Sequence, residues 1–138
     1  MLKKILVYIF AFHFIATNPM AQTNPQIEIF DIQQGKVIKY VQKDTDIQEE
    51  VEKFLEGITG VYVHHNPIPN KGWMIRIPLE PNIMVKNQWF DDLVDEVIII
   101  FSGQESPYLM MLDEENKPYF FTFEGNTANL MALLNFKP

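Results

Sequence analysis

Two histidines, two serines and a short acidic run hold most of the chemical potential of this chain. They are His64 and His65, Ser102 and Ser106, and the cluster Asp91, Asp92, Asp95 and Glu96. An imidazole that takes a proton from a serine hydroxyl, with Asp91 or Asp95 orienting the ring, makes a hydrolase. Here such a triad depends wholly on tertiary contact. No Gly-x-Ser-x-Gly elbow surrounds either serine, and Ser102-Gly103 has the composition of an ordinary turn. Adjacent strand residues point to opposite faces, so His64 and His65 can share a metal only where the backbone leaves the strand. The chain has no cysteine, and it lacks His-x-His and His-Glu-x-x-His spacings. The acidic cluster offers oxygen ligands of the kind calcium takes, and Asp91 and Asp95 face together if their segment is helical. The alternating layout of a calcium loop is absent, and four like charges also solubilise the connection before a sticky strand. Asp113-Glu114-Glu115 fits a hairpin tip. No glycine-rich phosphate cradle or dinucleotide fingerprint occurs. We therefore expect no catalytic residue, no metal ligand and no cofactor. A secreted hydrolase using His64 or His65, and a calcium-stabilised structural domain, stand as alternatives.

Recognition is the chemistry that the residue types favour. Tyr62, His64, Trp73, Trp89, Phe90 and Tyr108 fall at strand ends or beside loops, where rings give apolar contact with little rotamer loss. Trp73 fits the core better than a contact surface, whereas Trp89 and Phe90, beside two aspartates, suit an exposed one. Arg76 adds a fixed positive charge on the polar face of its strand. Pro67 and Pro69 pre-order the loop His64–Gly72, which lowers the entropy cost of binding. The expected interaction surface is His64, His65, Pro67, Pro69, Arg76, Trp89 and Phe90, and its expected partner is an envelope or extracellular protein or peptide.

The elements that must carry these residues read as a mixture of strands and helices. Residues 27–32 and 36–41 alternate apolar and polar around Gln33-Gln34-Gly35, a hairpin pattern. Thr45 with Gln48 forms a capping box at the start of a helix over 46–56. Ile47, Val51, Phe54, Leu55 and Ile58 make its apolar stripe, and Gly57 or Gly60 can end it. Residues 58–63 turn strand-like. Trp73–Leu79 is a strand that Pro78 should end or confine to an edge, because proline cannot donate to a ladder. A short strand follows at 83–85, and 87–94 is open between a turn and a brief helix. Val97–Phe101, the strongest apolar run beyond the first twenty-one residues, reads as the central strand. Residues 107–112 and 118–123 make a second hairpin around a charged loop, and Asn126 or Thr127 caps a final helix over 126–135. The fold class expected is α+β: about seven mostly antiparallel strands packed against one main helix and closed by the C-terminal one. A small open barrel with one helix is the alternative.

Size and charge bound the rest. Of the chain's 138 residues, the first twenty-one have the parts of a secretory signal: Lys3 and Lys4, an apolar run over 5–16, and a small residue, Ala21, before a polar segment. The run is shorter than the roughly twenty residues of a spanning helix. Membrane association is therefore expected only if this segment stays uncleaved. Residues 22–26 read as a flexible lead, and 27–138 as one domain. Removing Lys3 and Lys4 from eleven basic residues leaves nine against eighteen acidic ones, hence −9. That sign repels phosphate backbones and disfavours nucleic acid. An exported domain without disulfides suits a Gram-positive envelope or the secreted space. Lys36-Val-Ile-Lys39, the Ile-Thr-Gly-Val of 58–61, Ile77-Pro-Leu79 and Pro107-Tyr-Leu109 resemble small exported proteins of uncharacterised function from Bacillus-type bacteria. The resemblance implies export and transfers no chemistry. The expected function is an exported, envelope-associated binding domain without catalysis, on the extracellular side.

Overall fold

The computed structural model describes residues 25–137. The expected signal segment and most of the lead lie outside the described residues. Among the described residues seven antiparallel strands form one sheet, with two helices, so the fold is α+β. In chain order these are β1 (Ile27–Asp31), β2 (Lys36–Val41), α1 (Thr45–Glu56), β3 (Ile58–Val61), β4 (Trp73–Lys86), β5 (Asp91–Phe101), β6 (Tyr108–Leu112), β7 (Pro118–Phe123) and α2 (Ala128–Leu133). The strands lie side by side as β2-β1-β4-β5-β6-β7-β3.

Turn chemistry accounts for the local pairings. In the β1–β2 turn, Asp31 accepts from the backbone N–H of Gln34 at 2.9 Å, and Gly35 takes φ 68°. In the β6–β7 loop, Asp113 Oδ1 accepts from the amides of Glu115 and Lys117, and Asn116 supplies the left-handed residue. Helix α1 ends at Gly57, whose N–H bonds to Lys53 and Phe54 carbonyls. Its start differs from the capping-box expectation. Asp44, not Thr45, is the N-cap, and its Oδ1 accepts from Ile47 N–H at 2.8 Å. At the second helix Asn126 Oδ1 accepts from Ala128 N–H, while Thr127 makes no side-chain cap bond.

Connections between distant strands decide what covers the sheet. Strand β2 lies at one edge and β3 at the other, so α1 crosses one face between them. The chain then returns from β3 to the interior strand β4 through residues 62–72, over the opposite face. Helix residues Ile47, Val51, Phe54, Leu130 and Leu134 pack on Ile29, Ile75, Ile99 and Phe121. Across the sheet, Ile68 of the return loop covers Phe30, Met74, Ile98, Ile100, Tyr108 and Met110. Burial on both faces explains why Val97–Phe101 is apolar at every position. Strand β5 sits in the centre of the sheet order, as expected of that run.

Strand β4 departs from expectation. It neither ends at Pro78 nor lies at an edge; it runs on to Lys86 between β1 and β5. Its pairing with β1 stops at Arg76, and its ladder with β5 is interrupted between Pro78 and Ile83. The missing N–H thus falls where the ladder is already broken. Beyond that bulge β4 and β5 continue as a two-stranded extension with a tight turn at 87–90. There Asn87 Oδ1 accepts from the amides of Trp89 and Phe90. Residues 91–94 are strand, so the helical option for 87–94 is excluded.

Candidate functional site

The return loop and the β5–β6 turn enclose a groove of about 460 Å³ on the face opposite the helices. Its aromatic wall is a stack of three rings. Tyr108 comes from β6, and Tyr62 lies on it with centroids 3.8 Å apart and planes 5° apart. His64 covers the other side of Tyr62 at 5.4 Å and 12°. Alternation along the chain after β3 places Tyr62 and His64 on the same side, so the stack follows from strand spacing. The phenols pin it in place. Tyr62 donates to Glu105 Oε1 at 2.6 Å, and Tyr108 donates to the carbonyl of Pro67. Burial, aided by the carboxylate of Glu105, pushes the Tyr62 phenol well above its ordinary 10. Burial likewise raises Tyr108. Both phenols are therefore neutral hydrogen-bond donors across the ordinary pH range.

The remaining lining is polar: Asn66, Asn70, Lys71, Ser102 and Gln104, with Pro69 and the buried Ile68. Ser102 Oγ accepts from the backbone N–H groups of Gln104 and Glu105, which shapes the turn. A histidine, a serine and a carboxylate thus share one groove. His64 nevertheless has no hydrogen bond to Ser102 or to a carboxylate among the described residues, and Glu105 already receives the Tyr62 hydroxyl.

The structure divides the surface expected from the sequence. His64, His65, Pro67 and Pro69 lie together on the return loop, with His64 and Pro69 lining the groove. Trp89 and Phe90 lie at the far end of the β4–β5 extension and pack into the helix-side core. Arg76 lies on the loop side of β4, so the sheet itself separates it from Trp89 and Phe90. Phe90 is only 5% exposed and meets Tyr119 and Phe121 edge-on, so it is core rather than contact surface. Trp73 packs on the same core, edge-on to Phe136.

Arg76 is not a free positive charge either. Its Nε donates to Glu28 at 2.8 Å and its Nη1 to Glu96 at 3.2 Å, with Glu28 only 4% exposed. Cross-strand pairing sets this arrangement, because Glu28 is the register partner of Arg76 and Glu96 that of the neighbouring Pro78. The acidic cluster is dispersed as well. Glu96 binds Arg76, Asp92 accepts from the amides of Leu93 and Glu114, and Asp91 and Asp95 are exposed along a strand. Among the described residues, no three His, Asp or Glu side chains gather as a metal site would require. No helix among them is long and apolar enough to cross a membrane.

Tyr62, His64 and Tyr108, and the loop His64–Gly72 that holds Asn66 and Asn70, carry a signal in the sequence, whereas Gln104 and Glu105 carry none. Nothing in their local spacing marks those two, since they meet the return loop only in the fold. Compared with protein-family models, with curated proteins and with solved structures, the chain shows no match.

Proposed function

We propose that the protein is an exported, envelope-associated binding domain that takes its ligand in the groove under residues 62–72 and performs no catalysis. The observation that carries this is the His64–Tyr62–Tyr108 stack, in which hydrogen bonds hold both phenols while the exposed His64 lies against Tyr62. Two rings held in place before any ligand arrives form a recognition wall that loses little entropy on binding. The favoured ligand is a segment of another exported protein, neutral or basic because the chain is acidic overall. Export itself rests on the basic and apolar pattern of the first twenty-one residues.

Two measurements test the reading. Intact mass of the protein recovered from culture medium should correspond to a chain beginning at Gln22; a chain found only in membranes and still carrying Met1 refutes export. Capture from envelope extracts should yield a specific partner that is lost with Tyr62→Ala and His64→Ala and kept with Trp89→Ala. Equal capture by all variants refutes the groove.

One observation favours a second reading: His64, Ser102 and Glu105 line the same groove. A hydrolase built on them should release p-nitrophenol from p-nitrophenyl acetate and lose that activity in both Ser102→Ala and His64→Ala. No activity above a heat-treated control removes this reading.

A further inference from the structure

The two edges of the sheet are not alike. The ladders of both outer strands slip once, β2 with β1 between Ile29 and Phe30 and β3 with β7 between Ile58 and Gly60, but only β2 carries charges, Lys36 and Lys39. Charged side chains and bulges are the devices that keep a sheet edge from pairing with another chain. The opposite edge, β3 with the two residues after it, reads Ile-Thr-Gly-Val-Tyr-Val and has neither a charge nor a proline. Val61 is 47% exposed and Val63 87%. Strand β3 is terminal in the sheet, and Tyr62 N–H donates inward to the Phe120 carbonyl at 2.9 Å. Alternation then turns the N–H of Val61 outward, with no neighbouring strand among the described residues to receive it.

We propose that an extended segment of a partner protein adds to this edge as an eighth strand, alongside residues 60–64. This rests on the reading of the adjacent groove as the ligand site and supplies its mode of recognition. Main-chain bonds to the edge give affinity, and the side-chain alternation of the added strand gives specificity. The register partner of Val61 is Phe121, on the helix side, whereas Tyr62 stacks on Tyr108 on the loop side. One set of the incoming side chains therefore meets Val61 and Val63, and the other meets His64 and the mouth of the groove. The edge itself is apolar and the chain as a whole is acidic, so the segment it fits is β-branched or aromatic at alternate positions and free of acidic residues. A second copy of this chain is a poorer occupant. The five residues 60–64 span about 16 Å; two such edges alone cover much less than the roughly 800 Å² per partner of an ordinary stable interface, whereas a peptide on the edge also reaches the mouth of the groove.

A phage-displayed library of random decapeptides selected against the full chain tests the proposal, with affinities measured by fluorescence anisotropy on the recovered peptides. Selected sequences should alternate β-branched or aromatic residues and lack Asp and Glu. Val61→Pro removes the outward N–H while sparing the inward ladder, and it should weaken binding about tenfold or more. Val63→Lys places a charge on the edge and should do the same if the proline variant fails to fold. N-methylation of the peptide at alternate residues should abolish binding in one phase of alternation and leave the other phase nearly intact. Equal affinity across these variants and peptides overturns strand addition. If His64→Ala weakens binding while both edge variants do not, the groove stands and strand addition fails. If the edge variants weaken binding while His64→Ala does not, strand addition stands and the groove reading fails. Failure to select any peptide overturns the proposal, as does a concentration-dependent dimer, abolished by Val63→Lys, in place of peptide binding.

Discussion

Arg76 shows how a residue's apparent role changes once its neighbours are known. In the sequence it is one cation on a polar strand face. In the fold it is clamped by Glu28 and Glu96, with most of its side chain covered. Removing one partner of a buried pair leaves the other charge desolvated and uncompensated, which costs about 3–5 kcal/mol. Arg76→Ala should therefore lower the unfolding free energy from urea melts by an amount in that range, through a lower midpoint at an unchanged slope. An effect under ~1 kcal/mol would mean that water solvates Glu28. Glu50 makes a second residue-scale prediction. Asn129 donates to its Oε1 at 2.7 Å and Lys53 donates at 3.1 Å, and these bonds hold its carboxyl below the ordinary 4.5. A carboxyl depressed in the folded state stabilises fully above its unfolded value and loses that contribution as pH falls through the folded one. Stability should thus decline as pH drops below 4.5, and Glu50→Gln should flatten that decline. Melting temperatures measured from pH 6 to pH 3 will check it.

Among the elements, α1 was legible because its signals are local. An apolar stripe at spacings of three and four, a polar N-terminal residue and a following glycine suffice to place it within a residue or two. The choice between Asp44 and Thr45 as cap was not legible, because both residue types cap well and the sequence offers them side by side. Asp44→Ala should cost about 1 kcal/mol in denaturant unfolding, and Thr45→Ala should cost distinctly less; the reverse order would return the cap to Thr45. Strand β4 failed to read as one element for a different reason. Pro78 and Pro81 mark strand ends by local rules, and only the interruption of the ladder between Pro78 and Ile83 lets the strand pass them. Gly72, at the junction of the return loop with β4, is set by tertiary approach. It has φ 110°, and a Cβ there would lie 2.0 Å from the Phe101 carbonyl oxygen.

For the molecule as a whole, the sheet order predicts where it opens first. The Val97–Phe101 part of β5 is central and covered on both faces, whereas β3 has four residues, one neighbouring strand among the described residues and an exposed outer side. Amide exchange in residues 97–101 should proceed only through global unfolding. Residues 58–66 should exchange through local opening of smaller free energy. Equal protection of the two would contradict this order of stabilities. By itself, the sequence determined the hairpins, the two helices, the central apolar strand and the α+β class, because turn residues and side-chain period act within a few positions of one another. Tertiary structure alone decided that β2 and β3 lie at opposite edges, and therefore that α1 and the return loop cover opposite faces. It also neutralised Arg76, buried Phe90 and parted His64 from Trp89. Contacts between residues tens of positions apart depend on strand order, and strand order is set by which whole arrangement buries both faces of the sheet, a sum over the molecule that no local pattern contains.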